Sequence, residues 1–435
     1  MSKPIPATKP TLRLSFSFDT TRDPDYTGFV HEVNFKGIVN GGYLFSARLY
    51  DPALSLFDDL VEQRYFVESL KGPQWLKFQL AGSIEGEFPS SATRPQYGMI
   101  VAMRSILESS GSFLEIIAID PITYGLTMGD ASGGAYKGTI DGVIRQLLDD
   151  YGITINGQRP SVDVTRFAGS DEVTWNMYRQ DPKSFLVSLL EWSSGLTESK
   201  TQLLMGVDGN NLVIKEQAKI QERRRGYYMK YSAEDDNIIE HKILANNLIS
   251  AVDTKMITSG ASSTAGSYLD HKQDFGENYL VVSDKTTTNK YVPRISRERG
   301  FTKANAQPGN GKPFTGSSIV GTIPELLSNG EIGVPYQYYI DGRARNTFYN
   351  VSNGGLKMLL TVFGHGEYSD TIGLGADTVF VQLNNMANNS TRGYFWSTGF
   401  WIVRGFHHRL TKSYWVTDLL LTRLEHDAEG RKVGV

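Results

Sequence analysis

Two stretches in which apolar and polar residues alternate bracket one in which apolar residues recur every three or four positions. This change of period constrains the fold more than any motif does. In "LRLSFSF", Leu12, Leu14, Phe16 and Phe18 take one face and Arg13, Ser15 and Ser17 the other, which is the pattern of a half-buried strand. "FKGIVNGGYLFSARLYD" sets a turn at Asn40-Gly41-Gly42 between two apolar runs, a hairpin signal. "PQWLKFQLAG" and "SFLEIIAIDP" read as further strands, and "DPALSLFDDLVEQ" as a short helix between them. β-Patterning returns between Tyr336 and Asp427, in "MLLTVFG", "DTVFVQL", "GFWIVRGFHHRL" and "SYWVTDLLLTRLE".

The middle block has the helical period. Ile140, Val143, Ile144, Leu147, Leu148 and Tyr151 share one helical face, closed by Gly152. A second helix is expected in "QDPKSFLVSLLEWSSG", with Asp181 as N-cap, Pro182 at the first helical position and Gly195 past the end. Phe185, Leu186, Leu189 and Leu190 form its buried stripe. "TQLLMGVDGNNLVIKEQ" reads as a hairpin turning near Asp208-Gly209. The expected organisation is a β-domain over 1–120, an α+β insert over 121–225 and a second β-domain over 226–435. From Ser259 to Ser318 the chain is polar, with "LVVSD" as its one firm strand, so a loop or arm extension is expected over about 259–345. The arginines of "FSARLYD" and "LLTRLEH", Arg48 and Arg423, each end a hairpin strand and give a faint echo between the two β-regions.

Composition excludes several function classes. Of 435 residues, 44 are Lys or Arg and 47 Asp or Glu, a near-balance that argues against a dedicated nucleic-acid binder. There is no cysteine, which excludes disulfides, thiolate metal sites and cysteine nucleophiles. The N-terminus lacks a signal-peptide core, and no apolar run reaches the ~20 residues that span a bilayer. A soluble protein folding in a reducing cytoplasm is expected.

Candidate chemistry does not assemble. His407 and His408 are adjacent, so in a strand they point to opposite faces and cannot grip one metal. Unbroken alternation puts His407 with Trp401 and Val403, and His408 with Ile402, Phe406 and Leu410. "GDASGG", Gly129 to Gly134, resembles a protease serine motif but carries the extra Ala131, and it reads as a flexible turn. "AQPGNGKP" fails the phosphate-loop pattern at Ala306 and Pro313. Glu191 beside Trp192 is a general-acid candidate with no evident partner carboxylate. Asp149 and Asp150 read as a solvated helix end, and Arg223-Arg224-Arg225 as an exposed strand or boundary loop. No catalytic, cofactor or metal site is expected, and the chain is not expected to be an enzyme.

Several segments, in order, resemble the baseplate hub proteins of contractile-tailed phages, the late-control-D family and the hub part of type VI secretion spikes. "LEIIAIDPITYGLTMGD" is similar to that family's strand leading into a "y-D-p-l-x-x-L" turn. "GTIDGVIRQLLDDYGI" is similar to its following helix. "MYRQDPKSFLVSLLEWSSGLT", Met177 to Thr197, resembles its "y-Q-x-x-p-x-x-F-L-x-x-L-x-E-x-x-G" helix, the most specific piece. "LLMGVDGNNLVIKE" and the closing "WIVRGFHHRLTKSYWVTDLLLTRLE" resemble its two later hairpins. The polar region from about 259 to 345 matches no motif of the family.

The resemblance implies a mainly β chain with two tail-tube-like β-barrel domains and a smaller α+β domain. It further implies a homotrimer that adapts a six-fold tail tube to a three-fold spike and lines the DNA channel. The implied partners are a tail spike or needle protein below, a tail tube or tube-initiator protein above, and other baseplate proteins. DNA would pass without specific binding, and no membrane insertion is implied. The implied place is the virion tail baseplate, assembled in the host cytoplasm. Rival readings are the hub of a non-viral contractile injection system, a tail-associated polysaccharide- or peptidoglycan-degrading enzyme, and a monomeric binding module.

Overall fold

The computed structural model describes residues 9–16, 27–58, 75–83, 92–130, 132–155, 157–164, 173–193, 203–216, 224–231, 238–245, 280–283, 288–291, 356–372, 374, 378–383 and 399–423. Before the helical block come β1 (Lys9–Phe16), β2 (Val30–Ile38), β3 (Gly42–Tyr50), β4 (Trp75–Ser83), β5 (Gln96–Glu108) and β6 (Gly111–Ile119). The block itself holds α1 (Pro121–Met128), β7 (Ser132–Gly138), α2 (Ile140–Asp150), β8 (Ser161–Val164), β9 (Val173–Gln180), α3 (Pro182–Ser193), β10 (Leu203–Asp208) and β11 (Asn211–Glu216). After it come β12 (Arg224–Tyr231), β13 (Ile238–Ala245), the paired β14 (Leu280–Ser283) and β15 (Thr288–Tyr291), then β16 (Leu356–Phe363), β17 (Thr378–Leu383), β18 (Gly399–Thr411) and β19 (Trp415–Arg423).

Twelve strands make one sheet, and they fall into two sets of six. The first set runs β1-β4-β5-β6-β3-β2 across the sheet, and the second runs β12-β17-β18-β19-β16-β13. Counted one to six in chain order, both sets read 1-4-5-6-3-2. The match extends to register. β4 meets β5 from Trp75↔Met99 to Phe78↔Gln96, and β17 meets β18 from Thr378↔Ile402 to Val381↔Gly399, four pairs in each case. β5 carries one extra residue, Val101, between Ile100 and Ala102; β18 carries Arg404 between Val403 and Gly405. Each extra residue is the sixth of a 13-residue strand. His31 near the start of β2 and Ile239 near the start of β13 are extra in the same way.

Two differences stand out. β1 lies antiparallel to β4, whereas β12 lies parallel to β17. The second and third strands are joined by the short turn 39–41 in the first set and by 246–355 in the second. The polar arm expected over 259–345 thus falls inside a hairpin connection. Of that arm, the described residues form only the β14–β15 pair. The arginine echo is not part of this repeat: Arg48 lies on a third strand and Arg423 at the end of a sixth.

Among the described side chains, apolar ones on one face of the strands close the core. Phe78 on β4 stacks on Phe45 of β3 at 4.0 Å and meets Phe35 of β2 edge-on at 4.9 Å, although neither strand is its neighbour in the sheet. The first set is therefore curled until distant strands touch, and the described strands leave it open between β1 and β2. The fold is mainly β, as expected, and each barrel-like set is a curled sheet in the described strands. One cluster of buried side chains runs through both sets and the block between them.

The block folds much as its period dictates. α2 buries Ile140, Val143, Ile144, Leu147 and Leu148, and Gly152 follows it in the left-handed region. α3 begins where Asp181 accepts from the Ser184 amide at 2.8 Å, and it buries Phe185, Leu186, Leu189 and Leu190. The hairpin turns at Gly209, φ 60°, and β8 joins it in parallel. "PITYGLTM", expected as a turn, is α1, because Asp120 and Pro121 supply an N-cap and a first-turn proline. "GDASGG" is a turn only at Gly129-Asp130; Ser132 to Gly134 begin β7, paired with β9. A helical turn follows Leu54, its amides at Leu56 and Phe57 capped by Asp51; the remainder of that expected helix lies outside the described residues. No described helix is long and apolar enough to cross a membrane.

Candidate functional site

The histidine pair sits where the two strand sets meet, because β18 pairs with β2 from Gly405↔Ile38 to Thr411↔Glu32. The rings point to opposite faces, as adjacency in a strand requires. Their companions differ from the unbroken alternation. Arg404 is a β-bulge, so Trp401 and Val403 share the inner face with Phe406, His408 and Leu410. His407 lies outside, on the same face as Arg409.

His408 is fully buried among Phe35, Phe406 and Trp415. The Trp415 indole donates to Nδ1 at 3.2 Å, so Nδ1 carries no proton. The Thr417 hydroxyl then donates to the same nitrogen at 2.7 Å, and the ring proton sits on Nε2, buried without a hydrogen-bond partner among the described residues. Burial pushes this imidazole down to about 3, helped by His407 and His365. On the outer face His407 Nε2 donates to Asn34 Oδ1 at 2.8 Å, and Asn34 donates to Glu32. Arg409 and Thr361 both donate to Asp418 Oδ1, at 2.9 and 2.7 Å. Burial and then Lys36 push His407 down to about 4, against the pull of Asp418. These links tie β16, β19, β18 and β2 across the junction. They hold strands together and present no nucleophile to a substrate.

Two buried carboxylates join the block to the strands. Asp120 Oδ1 accepts from the Thr123 amide at 2.7 Å and Oδ2 from the Tyr43 amide at 3.0 Å. A Cβ at Gly42, whose φ is +75°, would collide with that carboxylate. Burial raises the Asp120 carboxyl to about 6, against hydrogen bonds from Thr123 and Tyr43. Asp208, before the β10–β11 turn, accepts from Arg94 at 2.6 Å and from Gln96 at 2.9 Å, and Arg94 also reaches Asp370 at 3.5 Å. Asn40, at φ 64°, exchanges two hydrogen bonds with Met205 of β10. Three parts of the chain thus meet at one polar joint. Of its members, the sequence reading placed Asn40, Gly42, Asp120 and Asp208 at turns and gave Arg94, Gln96 and Asp370 no role.

Other sequence candidates do not converge. Asp149 pairs with exposed Arg159 at 2.9 Å at the end of α2. The side chains of Glu191, Trp192, Arg224 and Arg225 lie outside the described ones, as do Arg223 and the whole of "AQPGNGKP". Among the described residues no group of histidines and carboxylates could hold a metal ion.

The remaining feature is an open strand edge. β4 covers β5 only as far as Met99, so from Ala102 to Glu108 that edge has no partner strand among the described residues. Leu107 there is 82% exposed. At the far end of the sheet β13 pairs, among the described strands, with β16 alone.

No protein-family model matches the sequence, and no curated protein matches it. Solved structures do match. The tail protein from Neisseria meningitidis MC58 superposes with a TM-score of 0.52 at 10% identity, over 95% of this chain and 96% of that one. The 43 kDa tail protein of prophage MuSo2 from Shewanella oneidensis gives 0.50 at 12% identity, over 98% and 100%. A chain of the lidded Francisella PdpA-VgrG complex gives 0.50 at 11% identity, over 98% of this chain and 54% of that one. This chain shares its fold with phage tail proteins and with a chain of that VgrG complex, the fold class that the hub resemblance implies.

Proposed function

We propose that the chain is the baseplate hub of a contractile phage tail, a trimeric ring that adapts a six-fold tail tube to a three-fold spike and lines the DNA channel. The repeated 1-4-5-6-3-2 strand set carries this reading. A chain with two near-equivalent strand sets presents six of them in a trimer, so one ring is three-fold in chains and close to six-fold in sheet surface. On this reading the two strand sets are the β-domains at 1–120 and 226–435, with 121–225 as the α+β insert between them and β12 crossing the second boundary from Arg224. The spike or needle binds below, the tube or tube-initiator protein above, and the ring sits in the virion tail baseplate after assembly in the host cytoplasm. Its work is done by interface area and shape, with no chemistry. The slight negative balance, -3, suits a channel that must release DNA.

Electron micrographs of the purified protein test this. The expected particles are rings with a central opening, three-fold and close to six-fold in projection. Particles of trimer size with no opening would contradict the channel.

A further inference from the structure

We infer that the open edge of β5 receives β13 of a second copy of this chain, in the register that β2 takes on β18 within one chain. The repeat makes these positions equivalent. β18 spends its first residues on β17 and offers Gly405 to Thr411 to β2. β5 spends its first residues on β4 and holds Ala102 to Glu108 open among the described residues. β13 stands in the second set where β2 stands in the first, down to the extra residue near its start.

Burial supports the same pairing. Leu410 on β18 is 0% exposed, sitting opposite Val33 of β2. The equivalent residue on β5 is Leu107, at 82% the most exposed large apolar residue described. One position, covered in one set and bare in the other, is what a chain shows when its neighbour is a second copy. Carrying the internal register across places Met103 opposite Ala245, Ser105 opposite Ile243 and Leu107 opposite His241. The two edges differ, so the contact is head-to-tail, the class of interface that makes a ring when its rotation closes. An unpaired edge is also a template for strand addition. The pairing rests on the repeat alone; only the number of chains in the ring rests on the hub reading.

Because the chain has no cysteine, Leu107→Cys with His241→Cys gives a clean test under mild oxidation. Opposed residues in an antiparallel pair lie about 4.5–5.5 Å apart at Cα, within disulfide reach. The double variant should form covalent multimers on a non-reducing denaturing gel, and neither single variant should pass dimer. Leu107→Arg should keep the far-ultraviolet spectrum and melting temperature of the wild type, since its site is exposed, but run as a monomer. A trimer that neither cross-links nor dissociates with Leu107→Arg would overturn this pairing and leave the hub reading standing. Cross-linking that stops at open dimers would support the pairing and remove the trimer. A wild type that is monomeric at every concentration and never cross-links would overturn both.

Discussion

At the residue scale, the histidine pair and Asp120 act in opposite directions on acidification. Unfolded imidazoles take up protons near pH 6.5, whereas His407 and His408 in the folded chain wait until about 4 and 3. The unfolded state then binds more protons, so these two rings remove stability as pH falls below about 6.5. Asp120, raised to about 6, binds its proton in the folded chain first, and so adds stability between about pH 6 and 4. Two rings with larger shifts outweigh one carboxyl. The urea midpoint should fall steadily from pH 7 to pH 4.5, and His408→Leu should reduce that fall; a flat or rising midpoint would contradict the assignment. At the cap, Gly42→Ala should cost about 2 kcal/mol or more, because a side chain is forced into the left-handed region and against Asp120. Asp120→Ala should cost about 1–2 kcal/mol for the cap alone. Chemical denaturation checks both. Asp120 was legible in the sequence as part of a motif, but its role as a tie between β3 and α1 was not, because Tyr43 is distant in sequence.

At the element scale, the bulges decide which side chains are buried. Deleting Arg404 would restore simple alternation in β18 with Trp401, Val403, Phe406, His408 and Leu410 still on the inner face, because the bulge is the residue the ladder leaves out. That deletion should leave the protein folded, though without the bond from the Val39 amide to the Arg404 carbonyl. Inserting an alanine between His408 and Arg409, by contrast, would turn Arg409 inward and Leu410 outward and should leave it insoluble or unfolded, as circular dichroism would show. The polar joint should be less sensitive. Asp208→Ala should cost about 1–3 kcal/mol for the unsatisfied Gln96 and the lost Arg94 contact, toward the low end because Arg94 is largely exposed. Period and turn chemistry made α2, α3, the β10–β11 hairpin and most strands readable. α1 was missed because Asp120-Pro121 serves a turn as well as a helix start. The bulge was missed because an arginine before a glycine does not announce an extra residue, and one extra residue reverses every assignment upstream of it.

At the scale of the whole molecule, the two strand sets are the same in order and register yet share few residues. Met103, Ser105 and Leu107 of β5 stand where Phe406, His408 and Leu410 stand in β18. Strand order and register are made by backbone hydrogen bonds, which no one residue type is needed to form, so the repeat is plain in the pairing and nearly silent in the sequence. The arginine echo joined positions that the fold does not match, while the real repeat lay in strand lengths and bulges. What a chain of two such sets should do is assemble. The molar mass of the purified protein, by light scattering after size exclusion across a dilution series, tests this directly. The account predicts a stable species of three times the 48.4 kDa chain; a species that remains at one chain mass throughout the series, with purified spike protein added, would contradict it.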